Sequence, residues 1–342
     1  MSNRPLLVIG GIALDITATI GKSLSSILHT STPGKVKQSL GGVGRNVAES
    51  AWRTGGNQVK LVSVVGDDLA GEAVKQGMKT IGMNIDYIQT MNNRPTAVYN
   101  ALHSHDGQLV AAVADMNIFD EMDTSKIINI IKSENPNFIC FDGNITSDMM
   151  ESIATTCQLL SIPAFFEPTS VPKSLKLFQQ ASTIQAQSIQ YTSPNQFELE
   201  AMCDTIRSDP ILSIKPKLTV NSIGLKNVPQ LAHSVLPHAI YLSNYIPNIV
   251  TKLGDQGCLY VKTSAGNSVV KYFPAELIQP NEIKSVTGAG DCFVGTLIAN
   301  LQKHKEQNEL INAMINKSQL SSIRTLKSDY AVSPNIYHDL LV

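Results

Sequence analysis

Thr287-Gly288-Ala289-Gly290-Asp291 stands at the head of an amphipathic run, Asp291 to Lys303, in which Phe293, Val294, Leu297, Ile298 and Leu301 share one helical face. Small residues let backbone N–H groups converge on an anion, and a helix N-terminus adds about half a positive charge. Asp291 beside that pocket can take a proton from an attacking hydroxyl while the amides hold a transferring phosphoryl group. The same residue also fits a plain helix cap after a glycine turn, so the stretch alone leaves both roles open.

A second junction has the same character. Ser39-Leu40-Gly41-Gly42-Val43-Gly44-Arg45-Asn46 leads from a strand-like stretch into a helix that ends at Gly55 and Gly56. Glycines there admit a ligand to the backbone, and Asn46 offers both a donor and an acceptor to vicinal hydroxyls; a tight turn would use the same residues. Arg45 reads as a solvent-facing helix residue. Asp15, near the end of the first strand, lies where ligands bind in parallel α/β sheets, although a turn also uses such a residue. Two nucleotide motifs are absent. Gly21-Lys22-Ser23 lacks the leading glycine of a P-loop, since Ile16 stands in its place, and Gly42-Val43-Gly44 is followed by Val47 where a dinucleotide fingerprint needs its third glycine.

Apolar runs rich in Val and Ile (Leu6 to Ile9, Val59 to Val65, Phe138 to Phe141, Pro163 to Phe166, Ile249 to Leu253) alternate with helical stretches, which predicts βαβ units around a parallel sheet. Two segments break the alternation. Residues 12–39 mix short apolar runs with Thr, Ser and Pro, and Thr96 to Asp115 reads as a hairpin turning at Asp106-Gly107; together they predict a small β appendage. Residues 204–230 are weakly periodic and read as a surface excursion.

With 342 residues the chain exceeds twice the common domain size of roughly 100–150, so two domains or one large α/β unit are expected. It is 43% hydrophobic and only 16% charged, and its 27 basic and 28 acidic side chains leave a net charge of -1. Nothing in that balance invites nucleic acid. Leu6 to Leu14, nine residues of apolar side chains and glycine, is far shorter than the roughly 18 needed to span a bilayer and reads as the first strand, not as a signal segment. The five scattered cysteines lack a Cys-x-x-Cys pair, which suggests a reducing cytoplasm and no structural zinc.

Taken together the two glycine stretches, Gly-Gly-x-Gly-x-Asn at 41–46 and Thr-Gly-Ala-Gly-Asp at 287–291, resemble both signatures of the PfkB (ribokinase-like) carbohydrate kinases, and the resemblance covers essentially the whole chain. Gly10-Gly11 through Asp15, Val64 to Asp68 with Gly71, Pro194-Asn195-x-x-Glu198 and Thr251-Lys252-Leu253-Gly254-x-x-Gly257 match in order. Within the family, Ala114 to Ile118, Phe166 to Lys173 and Ala331 to Pro334 look most like the pseudouridine kinases.

The resemblance implies a ribokinase-like α/β fold over residues 1–342, a three-layer α/β/α sandwich whose small β-sheet lid is built from about 12–39 and 96–115. It implies ATP-dependent phosphorylation of the pseudouridine 5'-hydroxyl, with other sugar or nucleoside acceptors, or a non-catalytic ligand-binding regulator, as the alternatives. Asp291 would be the base, with Gly288, Ala289 and Gly290 forming the anion hole. Asp15, Gly42 and Asn46 would hold the ribose, and Thr96, Asn100 and Asp115 the base ring. Asn195, Thr251, Gly254 and Gly257 would line the ATP site, and Glu198 would organise Mg²⁺ through water. Ser285 replaces the Asp or Asn of many members, which puts K⁺ activation in question. A small-molecule acceptor, no nucleic acid or membrane partner, and a homodimer through the lid complete the expectation.

Overall fold

Side chains along Leu6–Ile9 alternate between two cores: Leu7 and Ile9 enter one apolar cluster, Leu6 and Val8 the other. A strand buried on both faces demands cover on both, and the chain supplies it. Helices 124–134, 147–160, 196–208 and 230–242 pack on one side; helices 43–55, 69–81, 289–303 and 311–326 pack on the other. The computed structural model describes residues 4–21, 31–56, 58–213, 228–304 and 308–342. Residues 22–30 of the expected lid and 214–227 of the expected excursion lie outside these; the first residues of the excursion, 204–208, end helix 196–208.

Thirteen strands are described: β1 (Leu6–Ile9), β2 (Ala13–Ile20), β3 (Gly34–Gly41), β4 (Val59–Gly66), β5 (Ile88–Met91), β6 (Val98–His103), β7 (Leu109–Asp115), β8 (Phe138–Asp142), β9 (Ala164–Glu167), β10 (Ile189–Thr192), β11 (Asn248–Lys252), β12 (Cys258–Ser264) and β13 (Asn267–Phe273). Nine form the large sheet in the order β13-β12-β11-β10-β9-β8-β1-β4-β5. From β5 to β11 every pairing is parallel, while β12 and β13 add an antiparallel edge. That edge hairpin, turning at Ala265 and Gly266 with positive φ at both, escaped the alternation argument because it interposes no helix.

Chain direction across the sheet reverses beside β1. Strands β4 and β5 are laid down on one side of it and β8 to β11 on the other, so a crevice opens between the carboxyl ends of β1 and β8. The remaining four strands form a small sheet, β3-β2-β6-β7, in which β2 and β6 run parallel and the outer pairs antiparallel. Leu6 to Leu14 is therefore two elements instead of one strand. It breaks at Gly10-Gly11-Ile12, where the chain leaves the large sheet for the small one.

Candidate active site

The two glycine junctions meet over that crevice. Gly288 takes φ 77°, and a Cβ there would lie 1.9 Å from the Ala331 carbonyl oxygen, so the turn into helix 289–303 requires glycine. Residues 331–333, nearly fully buried, form the wall behind it. Gly42 takes φ 89° against the backbone of Gly11 and Ile12 and starts helix 43–55. The two helices pack side by side, joined by the Ser50 hydroxyl donating to the Cys292 carbonyl at 2.9 Å.

This packing brings Asn46 to Asp291. The Asn46 amide donates to Asp291 Oδ2 at 2.6 Å, and its buried Oδ1 has no partner within the chain. Burial raises the Asp291 carboxyl above its ordinary range against the opposing pull of Asn46, Lys252 and Arg45. A carboxylate so placed is a stronger base than a free one. Asp15 is pushed up to about 6, mainly by burial, with Arg45 opposing and Asp291 reinforcing the shift.

Arg45 is not solvent-facing. Only 2% exposed, it is paired with Glu49 and bonded to the Leu40 and Gly41 carbonyls, and Glu49 also holds Arg53 at 2.8 Å. A helix whose other face carries Val47, Ala48 and Ala51 offered no apolar signal that position 45 is covered too; the cover comes from the β3 end. The sequence reading also missed Asp142. This buried carboxyl at the end of β8 accepts from the Gly11 N–H, the Asn144 N–H and the Asn144 side-chain amide, each at 2.9 Å, and the Lys173 ammonium holds Asn144 Oδ1 at 2.6 Å.

Three expected contacts to the base ring are not brought to Asp15. Registered neighbours in a sheet share a face, and Asp15 registers with Ser39 and Tyr99. Asn100 registers with Ile16, and Asp115 with Val98, the neighbour of Leu14, so both stand on the opposite face and both are exposed. Thr96 is 1% exposed and committed elsewhere: its N–H and hydroxyl donate to Asp68, and its oxygen accepts from the Gly66 N–H at 2.8 Å.

On the far side of Asp291 lies a cavity of about 570 Å³, lined by Gly254, Gly257, Ala275, Ile278, Phe293 and Ile323 among others, with Lys252 and Gly290 at its inner end. Its wall is mostly apolar, as suits a planar ring system. Asn195 and Glu198 form a capping box for helix 196–208: Asn195 Oδ1 accepts from the Phe197 and Glu198 N–H groups, and Glu198 accepts from the Asn195 N–H at 2.8 Å. Neither lines the cavity, and Thr251 is fully buried behind it.

Four buried oxygens at the carboxyl ends of β9, β10 and β11, Glu167 Oε2, Thr192 Oγ1, Ser193 Oγ and Thr251 Oγ1, have no partner within the chain. Burial pushes Glu167 up to about 8, against the pull of Lys252, whose ammonium lies 2.9 Å from Glu167 Oε1. Among the described residues no three acidic, His or Cys side chains form a metal cage. An unpartnered carboxylate oxygen near Glu198 instead fits Mg²⁺, which is held by one or two carboxylates together with phosphates and water. No described helix is long and apolar enough to cross a membrane.

The chain is 27% identical over 97% of its length to a pseudouridine-metabolizing bifunctional protein of Schizosaccharomyces pombe, of which it spans 47%. It is 24% identical over 98% of its length to a pseudouridine kinase of Arabidopsis thaliana, covering 94% of that protein. An Arabidopsis thaliana ribokinase complexed with ribose and ATP superposes with a TM-score of 0.71 at 16% identity over 96% of both chains, which identifies the fold as ribokinase-like. The model of the pfkB family of carbohydrate kinases matches residues 5–313. The chain thus belongs to the pfkB family, whose kinases transfer phosphate to a hydroxyl.

Proposed function

We propose that the protein phosphorylates the 5'-hydroxyl of pseudouridine with ATP, giving pseudouridine 5'-phosphate and ADP. The observation that carries the kinase reading is the Asn46–Asp291 pair at a helix N-terminus, between sugar-side polar groups and an apolar nucleotide cavity. The choice of pseudouridine rests on the named activities of the S. pombe and Arabidopsis relatives.

Asp15, the Gly42 backbone and the free Asn46 Oδ1 hold the ribose hydroxyls and aim the 5'-hydroxyl at Asp291. The Asp291 carboxylate takes the hydroxyl proton as the oxygen attacks the γ-phosphorus. The bond from that phosphorus to the bridging oxygen breaks, its electron pair leaves with ADP, and Asp291 later releases the proton to water. The amides of Gly288, Ala289 and Gly290 meet the charge on the transferring group. Mg²⁺, when bound, neutralises phosphate charge; Glu167 and, through water, Glu198 would hold it.

The small sheet acts as a lid whose Asp15 face covers the acceptor and excludes water. Lys37, on that face, already reaches across to the Asp329 carbonyl and the Tyr330 ring. The opposite face leaves Val36 and Val113 each 70% exposed, and we assign it to a homodimer contact. Five unpaired, buried cysteines fit a cytoplasmic setting.

ADP release with Mg·ATP, measured against pseudouridine, uridine, adenosine and ribose with the product mass checked, tests the reading. Preference for pseudouridine sustains it; preference for another acceptor keeps the mechanism and overturns the substrate; nucleotide binding without turnover on any acceptor favours a ligand-binding regulator.

A further inference from the structure

Lys252 is the last residue of β11, so its side chain leaves the sheet at the carboxyl end, where the crevice opens. Its backbone is fixed there by a bond from its N–H to the Pro194 carbonyl at 2.9 Å and by a bridge to Asn195. The ammonium does not turn into the core. It lies at the wall of the nucleotide cavity with the side chain 19% exposed, whereas its partner Glu167 is 3% exposed. Of its three N–H groups, one is occupied by Glu167 Oε1 at 2.9 Å.

The position of Gly290 makes the placement specific. A Cβ on Gly290 would lie 3.6 Å from Lys252 Nζ and 3.8 Å from its Cδ, so the ammonium sits directly against the turn that carries the anion-hole amides. It therefore lies beside those amides, with Lys252, Ala289 and Gly290 lining the same cavity. Glu167 keeps it there. Glu198 and, more weakly, Asp291 also act on the ammonium electrostatically, and Glu167 is the carboxylate that bonds it.

We infer that Lys252 is a catalytic residue whose ammonium, held by Glu167, donates to the transferring phosphoryl group. The inference deepens the kinase reading and rests on it for the identity of the reaction. As the bond from the 5'-oxygen to phosphorus forms and the bond from phosphorus to the ADP oxygen breaks, negative charge spreads over the transferring oxygens. A fixed cation at that point gains strength as the charge develops, and it adds to the amides what they lack, a full positive charge. Glu167 positions the ammonium through Oε1, while its free Oε2 is the oxygen assigned above to Mg²⁺; it touches the ammonium and not the acceptor.

The test compares wild type with Lys252→Met, Lys252→Arg and the double variant Lys252→Met/Glu167→Gln. The double variant guards against misfolding, because removing the ammonium alone strands a buried carboxylate. Folding is checked by circular dichroism and thermal melting. Nucleotide binding is measured without magnesium, with ATP and AMP as probes, so that the contact is read apart from turnover. Wild type should prefer ATP over AMP, and Lys252→Met and the double variant should lose about 10- to 100-fold of that preference while holding AMP as before. With acceptor and magnesium present, their kcat should fall about 10²- to 10³-fold with little change in the acceptor KM, and Lys252→Arg should recover part of the loss.

A folded Lys252→Met or double variant that keeps the full ATP-over-AMP preference overturns the inference, whatever its turnover. Loss of the preference in the variants, with no acceptor phosphorylated even by wild type, would sustain the phosphate contact and remove the kinase reading instead.

Discussion

The acceptor side and the nucleotide side of the crevice are finished to different degrees. Around Gly10, Gly11 and Gly41 to Asn46 most polar groups satisfy one another, with Asn46 Oδ1 left open. Asp142 receives three N–H bonds, and Arg45 meets Glu49 and two carbonyls. Around β9 to β11 four buried oxygens have no partner within the chain, and the cavity beside them is rimmed by exposed Leu277 and Val286. Buried polar atoms without partners carry a cost of about 1–3 kcal/mol each. The difference teaches that the protein itself preorganises the acceptor side, whereas the nucleotide side leaves buried oxygens open to the phosphates and cation that the proposed reaction would bring.

Asp291 stands where the two sides join, so its loss should stop the transfer between them while leaving binding on each side intact. Asp291→Asn is expected to keep the fold and the binding of each substrate, because the new amide oxygen can still accept from the Asn46 amide, and to lower kcat by about 10²- to 10⁴-fold. Purified, folded Asp291→Asn with unchanged turnover would remove Asp291 as the base and leave only its helix-terminal position.

A smaller effect sharpens the acceptor side. Burial pushes Asp15 up to about 6, and in the proposed reaction its ionised form would accept from the ribose hydroxyls. As pH falls through that value the carboxylate gains a proton and loses acceptor capacity, so kcat/KM should drop about tenfold for each unit below it. In Asp15→Asn the limb belonging to Asp15 should vanish and leave only that of Asp291, with kcat/KM low throughout. Arg45 holds the Asp15 value down, so Arg45→Met should move the limb to higher pH. Glu49 retains Arg53 in that variant, which spares it an unpaired buried carboxylate. A limb that stays in place in Arg45→Met would separate Arg45 from the acceptor site.

The same contrast explains what could be read without coordinates. Glycine turns and period-two or period-3.6 runs are local, so β1, β4, β8, β9 and β11 and helices 43–55 and 289–303 were visible, and so was the small sheet's hairpin at Asp106-Gly107. Asp291 and Asn46 followed from the turns beside them. Facing was not visible: whether Asn100 shares a face with Asp15 depends on the register of β6 against β2, and that is a long-range pairing. Arg45, Asp142 and the Lys252–Glu167 pair were missed for a related reason. Each owes its role to partners on another strand or at a helix terminus, and a charged residue at the end of an apolar run looks the same whether it is solvated or buried against one.

The smallest expected effect concerns the nucleotide side and a second cation. If that side is completed by what it binds, a monovalent ion near the turn before Gly288 could be part of the completion. Ser285 argues against it. The hydroxyl carries no charge, and its oxygen already accepts from the Thr287 N–H at 3.2 Å, so an ion there would rely on carbonyls with little charge compensation. Turnover at equal ionic strength should therefore be the same in potassium chloride and in tetramethylammonium chloride, whose cation is too large to be ligated at a turn. A kcat that rises in potassium alone would show that carbonyls at this turn bind the ion without an acidic partner, and would extend the list of groups that the nucleotide side draws from solution.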